Sequence, residues 1–356
     1  SYNPILMNQI LKEEWQWDGV VISDWGAVHD THTAIIGGLD MEFGSWTDGL
    51  TEGTSNAYDN YWLANSYLKG IKEGIYTDKE LNEKVRRVLR LTFRTAMNND
   101  RPWGSMVSDA HKTACRKIGE EGIVLLQNNA NLLPINLSKV KRIAVIGENA
   151  IKMMTVGGGS SSLKVKYEVT PLEGLKKRIG EQAEIIYARG YVGDPTGEYN
   201  GVKTGQNLKD DRSPKELRTE ALQVASNADI VLFIGGLNKS EYQDCEGTDR
   251  KTMDLPYNQN ELIMDLLQVN KKLVVINISG TGVAMPWKNH VSTILQAWYL
   301  GSETGNALAS ILMGDVNPSG KLPYTYYACL NQCGAHKLGE YPGHKGMDVL
   351  GNKVYD

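Results

Sequence analysis

Short β-branched runs that alternate with helical stretches predict an α/β fold for this chain of 356 residues. A polar segment that contains Pro102 and Gly104 separates two parts that differ in their pattern of predicted strands and helices. The first part is shorter than the roughly 250 residues of a complete (β/α)₈ barrel, so residues 1–98 predict the closing units of a TIM-type barrel. We place a linker at 99–112 and an α/β sandwich domain with a mostly parallel sheet at 113–356.

Two short strands alternate with helices in the first part. Residues 20–22, Val-Val-Ile, form a β-branched run typical of a strand buried on both faces. Residues 34–43 read as a helix end, a glycine turn and a second short strand. A helix is predicted over 3–14. Residues 58–98 are predicted to be helical as well, with a second helix that begins at Asp78. One face of that second helix carries Leu81, Val85, Val88, Leu89 and Thr92.

Strands and helices alternate regularly in the second part. Strands are predicted at 123–127, 142–146, 184–187, 230–234, 273–278 and 293–297. Helices are predicted at 111–122, 214–227 and 258–269. This order is typical of a mostly parallel sheet with helices on both faces. Because loops after parallel strands carry function, we expect a site at the carboxyl ends of these strands.

Composition and charge exclude several classes of partner. The chain has 38 basic and 42 acidic residues and no basic cluster interleaved with aromatics, so nucleic acid is not an expected partner. No apolar run is long enough to cross a membrane, so a membrane is not expected either. None of the cysteines forms a CxxC pair, and only His29 and His32 have helix-face spacing, so no metal site is predicted. The VGGGSSS segment lacks phosphate-loop spacing; we predict that this Gly-Ser loop faces a cleft, and no cofactor is expected.

Asp24 ends the first predicted strand, directly after Ser23, and is the candidate chemical centre. In a (β/α)₈ barrel the carboxyl ends of the strands form the active-site face. The indole of Trp25 offers a flat apolar surface for a sugar ring, and the 8 Trp and 17 Tyr of the chain suit carbohydrate binding as well as core packing. The alternative is that Asp24 caps the following helix with the help of Ser23.

A long loop without apolar periodicity follows the strand at 230–234. It carries four acidic residues, Glu241, Asp244, Glu246 and Asp249. A solvated acidic loop is one interpretation. The other is that one of these groups is a general acid that works with Asp24. Glycoside hydrolysis needs such a pair, because one carboxylate attacks the anomeric carbon while an acid protonates the leaving oxygen.

Long motifs, present in family order, resemble those of glycoside hydrolase family 3 β-glucosidases. The stretch WQWDGVVISDWGAVHDT is similar to the nucleophile region of that family. The resemblance covers nearly the whole chain, through GLDMEFG, GIVLLQNNANLLPI, IAVIGENA, VGGGSSS, TPLEGL, EGTDRKTMDLPYNQNELI and GDVNPSGKLPYTY. It implies a retaining enzyme that hydrolyses terminal non-reducing β-D-glucosyl residues of oligosaccharides by double displacement.

The resemblance also implies the roles of three residues. Asp24 is the expected nucleophile, Trp25 is expected to line the glucose subsite, and Glu246, in EGTDR, is the expected acid/base. Glu241 and Asp244 remain alternatives for the acid, although the longer side chain of Glu favours reach. Retaining enzymes hold their two carboxyl groups about 5 Å apart. We expect the pKa of the acid to be raised by burial and by the charge of the nucleophile.

The resemblance leaves the sugar and the assembly open. A β-xylosidase of the same family is an alternative, although Trp25 favours glucose, and so is a non-catalytic carbohydrate-binding remnant. Similar family members carry most of their barrel before the SDW motif, so we expect the missing N-terminal barrel segment of the same enzyme to be a partner. By the same resemblance we expect a periplasmic or secreted protein. Whether the protein forms a homodimer is left open.

Without the missing barrel segment, the 356-residue chain should bind glucose only weakly. The hydroxyl-binding residues of the barrel would be absent, and the barrel fragment would have unpaired strand edges. Calorimetric titration of the isolated chain with glucose checks this expectation, together with an assay on 4-nitrophenyl β-glucoside. Measurable hydrolysis by the isolated chain would contradict it.

Overall fold

The computed structural model describes residues 3–43, 61–193 and 202–338, and the backbone of short strands at 198–199, 345–347 and 353–355. The chain forms two compact units, Ser1–Gly104 and Ser105–Asp356. The division falls within the predicted linker 99–112, whose last residues belong to a helix of the second unit. Residues 58–60, at the start of a predicted helical stretch, lie outside the described residues.

The described part of the first unit contains four helices. They are the first helix (Ile5–Glu14), α1 (Thr31–Ile36), α2 (Asn65–Lys72) and α3 (Asp78–Arg94). The first helix has π-type hydrogen bonding at its end, since the Trp15 N–H donates to the Ile10 carbonyl at 2.9 Å. Asp30 caps α1 and Thr77 caps α3, because each side chain accepts a backbone N–H of the first turn. The predicted helix at 3–14 and the predicted helix start at Asp78 are confirmed.

Two short parallel segments of the first unit lie side by side and are joined through α1. Ile22 and Met41 form a parallel bridge. The Val21 carbonyl accepts the Met41 N–H at 3.1 Å, and the Ser23 N–H donates to the Met41 carbonyl at 2.9 Å. A strand, a helix and a parallel strand form the repeating unit of α/β folds. The barrel of which this unit would be a part stays a prediction.

The buried carboxylate of Asp40 anchors this pair of segments. Asp40 lies in the second segment and is 6% exposed. Its carboxylate accepts the backbone N–H of Val21, in the first segment, at 2.8 Å, and an ammonium hydrogen of Lys12 at 2.8 Å. Burial lowers the pKa of Lys12, while its bond to Asp40 acts in the opposite direction. The first helix is thereby tied to both segments.

Helix α3 buries two charged side chains, Lys84 and Arg87, while much of its predicted apolar face is exposed. Arg87 donates to the carbonyls of Trp17 and Gly19 at 3.0 and 2.9 Å. Lys84 donates to the Leu39 carbonyl, and burial lowers its pKa to about 8. Among the predicted face residues, Leu81, Val85 and Leu89 are exposed in this chain. Helix α3 therefore holds the starts of the two segments by hydrogen bonds to carbonyl groups.

A six-stranded sheet forms the centre of the second unit in the described part of the chain. Its strands are β1 (Val124–Asn128), β2 (Arg142–Ile146), β3 (Glu184–Ala188), β6 (Ile230–Gly236), β7 (Leu273–Ile278) and β8 (Thr293–Gln296). Two separate strand pairs are β4 (Glu198–Tyr199) with β5 (Val202–Lys203), and β9 (Lys345–Met347) with β10 (Lys353–Tyr355). The order in the sheet is β1-β8-β7-β6-β2-β3, and only β1 pairs antiparallel. A mostly parallel sheet is thus confirmed.

Helices cover both faces of this sheet. They are α5 (Pro171–Ile179), α6 (Pro214–Ser226), α7 (Gln259–Val269) and α8 (Thr304–Met313). Helix α4 (Asp109–Gly122) packs against α8, and α9 (Gly334–Leu338) is a further short helix of this unit. Along β2, Ile143 and Val145 pack in a cluster with α5 and α8, whereas Ala144 and Ile146 pack in a second cluster with α6 and α7. The alternation explains why the strand sequences are apolar at nearly every position.

Helices α5 and α8 were not among the sequence predictions, and they pack unusually closely. A Cβ atom on Gly305 would lie 2.0 Å from the Thr170 carbonyl oxygen, and one on Gly174 would lie 2.1 Å from the Gly305 carbonyl carbon. The Gly305 N–H donates to the Val169 carbonyl at 2.8 Å, so the backbones are in direct contact. Glycine is therefore required at both positions for this helix pair.

The substitution Gly305→Ala should lower the free energy of unfolding by about 1–3 kcal/mol, because the added methyl group meets backbone atoms that cannot rotate away. Urea denaturation followed by circular dichroism measures the change. Gly334→Ala is the matched control, since a Cβ atom there meets open space. Equal stability of the two variants would contradict the close packing of α5 and α8.

Candidate active site

Asp24 is exposed and lies one residue beyond the last hydrogen bond between the two parallel segments. Its Oδ1 atom accepts the Trp25 N–H at 2.8 Å. The preceding residue, Ser23, is buried, and its hydroxyl oxygen accepts the Phe43 N–H at 2.8 Å. Asp30, and not Asp24, caps the helix that follows. The capping interpretation of Asp24 is therefore wrong, and its carboxylate stands at the end of a fixed strand.

Trp25 presents an aromatic surface next to this carboxylate. The side chain is 60% exposed. One edge-to-face contact supports it, with the ring of Phe43 at 4.3 Å between centroids and an interplanar angle of 68°. Because the backbone of Phe43 is bonded to Ser23, the ring and the carboxylate are positioned by the same strand end. An exposed, supported indole of this kind is suited to stacking against a sugar ring.

A cavity of about 960 Å³ lies in the second unit, at the carboxyl ends of adjacent parallel strands. Lys239 and Asp244 line it from the loop after β6, Thr281 from the turn after β7, and Tyr299 from the segment after β8. Such an edge is the usual place for ligands in open parallel sheets. The Gly-Ser loop also contributes, through Gly158 and Ser161, so the prediction that it faces a cleft is confirmed.

The Gly-Ser loop lies directly against the loop that carries Glu246. Gly157, Gly158 and Gly159 all have positive φ, at 97°, 81° and 103°. A Cβ atom on Gly159 would lie 2.5 Å from the Cβ atom of Glu246. The absence of a side chain at Gly159 therefore allows the two loops to come together.

Glu246 is exposed and is held by the Gly-Ser loop at two points. Its N–H donates to the Gly158 carbonyl at 2.9 Å. Its Oε2 atom accepts the Ser160 N–H at 2.7 Å and the Ser160 hydroxyl at 2.5 Å. These bonds stabilise the ionised form, so the side chain and backbone of Ser160 lower the pKa of Glu246. Burial was expected to raise the pKa of Glu246, but the side chain is exposed and its pKa is lowered, so this part of the expectation is wrong.

The two alternative acids have different surroundings. Asp244 accepts hydrogen bonds from the Gly280 N–H at 2.7 Å, the Tyr299 hydroxyl at 2.8 Å and the Thr281 hydroxyl. Glu241 is exposed at the start of the same loop. The carboxylate of Asp244 is thus anchored by the segments after β7 and β8, whereas the carboxylate of Glu246 is bonded to the Gly-Ser loop.

Lys239 and Tyr299 are among the cavity residues that were not predicted from the sequence. Lys239 is partly buried, its Nζ atom lies 5.8 Å from the centroid of the Tyr299 ring, and burial lowers its pKa. Burial raises the pKa of Tyr299 well above its ordinary value. Both residues lie close after buried strands, β6 and β8. Loops after parallel strands carry function, and this rule selected the loop after 230–234. Applied to basic and aromatic residues as well as to acids, the same rule would have found Lys239 and Tyr299.

The described residues contain no group of three or more His, Cys, Asp or Glu side chains arranged to hold a metal ion. His32 lies in α1 and stacks on Tyr76 at 6.0 Å. Cys115, Cys245, Cys329 and Cys333 are free thiols. In the part of the chain that the structure describes, no helix has both the length and the apolar character needed to span a bilayer.

The buried, mostly parallel sheet, with a cavity at its carboxyl edge bordered by an acidic loop and a Gly-Ser loop, defines an α/β domain with a candidate ligand site at that edge. Residues 123–355 match the model of the glycosyl hydrolase family 3 C-terminal domain. The chain therefore belongs to glycosyl hydrolase family 3.

Among curated relatives, beta-glucosidase BoGH3A of Bacteroides ovatus is 47% identical over the whole chain, which spans 48% of that protein. An exo-alpha-(1->6)-L-arabinopyranosidase of Bifidobacterium longum is 30% identical over the whole chain, which spans 43% of it. A periplasmic beta-glucosidase of Salmonella typhimurium is 32% identical over 92% of the chain and 44% of its own length. The chain thus spans about half the length of the relatives it matches.

Solved structures show the same relationship. The crystal structure of the GH3 beta-glucosidase of Bifidobacterium adolescentis superposes with a TM-score of 0.77 at 29% sequence identity. The match covers 97% of this chain and 45% of that one. The fold described above is therefore shared with about half of a larger glycosidase.

Ser160→Ala should raise the pKa of Glu246 toward its ordinary value, because the hydroxyl donor to the carboxylate is lost while the Ser160 N–H remains. The lowered folded-state pKa contributes stability above the unfolded pKa of Glu246, and this contribution disappears as the pH falls through the folded pKa. Titration of ¹³C-labelled glutamate side chains by NMR measures the shift. Ser161→Ala is the control; an equal pKa in both variants would refute the assignment to Ser160.

Proposed function

We propose that this chain carries the two catalytic carboxyl groups of a retaining β-glucosidase. The enzyme would hydrolyse terminal non-reducing β-D-glucosyl residues of oligosaccharides by double displacement. The observation that carries this proposal is the 47% identity to a beta-glucosidase over the whole chain, with the motifs around Asp24 and Glu246 inside the matched region. The position of Asp24 just beyond a parallel segment, and of Glu246 in the loop that follows the parallel strand β6, support it.

In the proposed mechanism, Asp24 attacks the anomeric carbon and Glu246 protonates the departing oxygen. A covalent glycosyl ester on Asp24 results. Glu246, now ionised, then removes a proton from water, which attacks the anomeric carbon and releases the sugar with retained configuration. Position supports Asp24 as the nucleophile, since it is exposed at the end of a strand fixed through Ser23.

The surroundings of Glu246 fit the second step directly. The Ser160 hydrogen bonds favour the ionised carboxyl, which is the form that accepts a proton from water. The first step needs the protonated form. In the proposed mechanism an ionised nucleophile beside Glu246 would supply the required opposite shift, because two adjacent carboxylates disfavour a second charge. Formation of the glycosyl ester removes that charge, so the pKa of Glu246 would fall between the two steps.

Trp25 is proposed to support the sugar ring. Its exposed face and its contact with Phe43 give a rigid apolar surface beside the carboxylate of Asp24. This favours a sugar with an apolar face over a charged substrate. We also propose a periplasmic or secreted location, which is supported by the relative named as a periplasmic beta-glucosidase.

The identity of the sugar is the second part of the proposal. A β-xyloside remains the alternative predicted from the sequence. Because one relative is named as an exo-alpha-(1->6)-L-arabinopyranosidase, L-arabinopyranose is the third sugar to be tested in the assay. A non-catalytic carbohydrate-binding protein is the alternative of a different class, and it predicts binding without turnover.

The decisive experiment measures hydrolysis of 4-nitrophenyl β-glucoside, β-xyloside and α-L-arabinopyranoside by the full-length protein, with and without azide. Asp24→Asn should abolish turnover, because no nucleophile remains. Glu246→Gln should keep turnover of these good leaving groups, and azide should accelerate it and yield a β-glycosyl azide. The substrate with the highest kcat/KM identifies the sugar.

Matched controls are available for both variants. Asp30→Asn preserves the cap of α1, since Asn caps helices as well as Asp, and should retain wild-type turnover. Glu241→Gln should also behave like wild type. Full activity of Asp24→Asn would overturn the proposal, and azide rescue of Glu241→Gln in place of Glu246→Gln would move the acid/base role. Sugar binding without hydrolysis by wild type would favour the non-catalytic alternative.

A further inference from the structure

We propose that Asp244 is a positioning residue that holds the Glu246 loop in the geometry needed for proton transfer. The inference rests on the proposed function, because it concerns the same acid/base. Here the Glu246 loop means residues 237–256, which follow β6. Asp244 lies two residues before Glu246 in this loop.

The side chain of Asp244 joins three neighbouring elements. One carboxylate oxygen accepts the Gly280 N–H at 2.7 Å and the Tyr299 hydroxyl at 2.8 Å. The other accepts the Thr281 hydroxyl. Gly280 and Thr281 follow β7, and Tyr299 follows β8, so the loop after β6 is fastened to the ends of the next two strands in the sheet. Hydrogen bonds to an ionised acceptor are about twice as strong as neutral ones.

The surroundings of Asp244 suit an anchor and do not suit a proton donor. A backbone N–H can only donate, so the oxygen facing Gly280 must act as an acceptor. Tyr299 is mostly buried, and its pKa is raised well above the ordinary value, first by burial and then by the charge of Asp244. Its hydroxyl therefore keeps its proton and donates it to Asp244. The carboxylate is thereby held in one orientation.

The backbone transmits this anchoring to Glu246. The Asp244 N–H donates to the Asn238 carbonyl at 3.0 Å, which closes the first half of the loop. A Cβ atom on Gly158 would lie 3.1 Å from the Asp244 carbonyl oxygen, and the Glu246 N–H donates to the Gly158 carbonyl. Asp244 and Glu246 thus flank the same glycine. Release of Asp244 would let this part of the loop move away from the Gly-Ser loop and displace the Glu246 carboxyl.

The test compares kcat/KM for two β-glucosides in the full-length protein: 4-nitrophenyl β-glucoside, whose leaving group needs little protonation, and methyl β-glucoside, whose leaving group needs it fully. Asp244→Asn should lower kcat/KM for the methyl glucoside by roughly 10- to 100-fold and for the nitrophenyl glucoside by less than about 3-fold. Tyr299→Phe, which removes one donor to Asp244, should show the same pattern with a loss of roughly 3- to 10-fold.

Thr252→Ala is the matched control, since it removes an exposed hydroxyl bond within the same loop, to Asp254, and should leave both substrates unaffected. Azide should not rescue Asp244→Asn, because the Glu246 carboxyl is still present. Thermal denaturation tests whether each variant is folded. If Asp244→Asn is unfolded, Tyr299→Phe provides the decisive comparison.

An equal loss on both substrates, or no loss on either, in the folded variants would overturn the positioning role. Azide rescue of Asp244→Asn with formation of the β-glycosyl azide would overturn it as well, because Asp244 would then be the acid/base itself. Failure of the proposed function has a different signature: wild type would hydrolyse neither glucoside, or Glu246→Gln would show no dependence on the leaving group.

Discussion

Burial of the central strands on both faces is the constraint on which the second unit depends. Strands β2, β6 and β7 are covered by α5 and α8 on one side and by α6 and α7 on the other, so their side chains are apolar at nearly every position. Polar chemistry is then restricted to the strand ends. Because β6, β7 and β8 are adjacent and parallel, the segments after them meet at one edge, where Lys239, Asp244 and Tyr299 line a common cavity.

The first unit uses a different solution to hold a carboxylate at a strand end. Its small apolar cluster, Val28, Ala34 and Leu39, is supplemented by buried charge. Lys12 pairs with Asp40, and Arg87 satisfies backbone carbonyls near the start of the first segment. A buried cation bonded to carbonyls is stable only where its donors are satisfied, so these bonds specify the geometry of the strand pair closely. The fixed strand end then positions Asp24.

Much of the fold and the location of the acidic residues could be predicted from local sequence. Buried strands were predicted because β-branched runs are local signals, and the acidic loop was selected because it follows such a strand. Within that loop, Glu246 was chosen by the resemblance of EGTDR to the family motif. Helix α8 was missed since it is apolar on most sides and shows little amphipathic periodicity. The Ser160 hydrogen bonds that lower the pKa of Glu246 were not predicted, because Ser160 lies 86 residues away in the sequence. The anchors of Asp244 are 36 to 55 residues away, and a single sequence does not show such pairings.

The close approach of Gly159 to Glu246 has a consequence for protein engineering and for divergence within the family. The two loops pack closely because Gly159 has no side chain, so they form one structural module even though they are distant in the chain. Transferring the Glu246 loop of a relative, but not the Gly-Ser loop of that relative, would bring together two loops whose surfaces are not complementary. Chimaeras should therefore exchange both loops together, and substitutions in the two segments should covary among homologues.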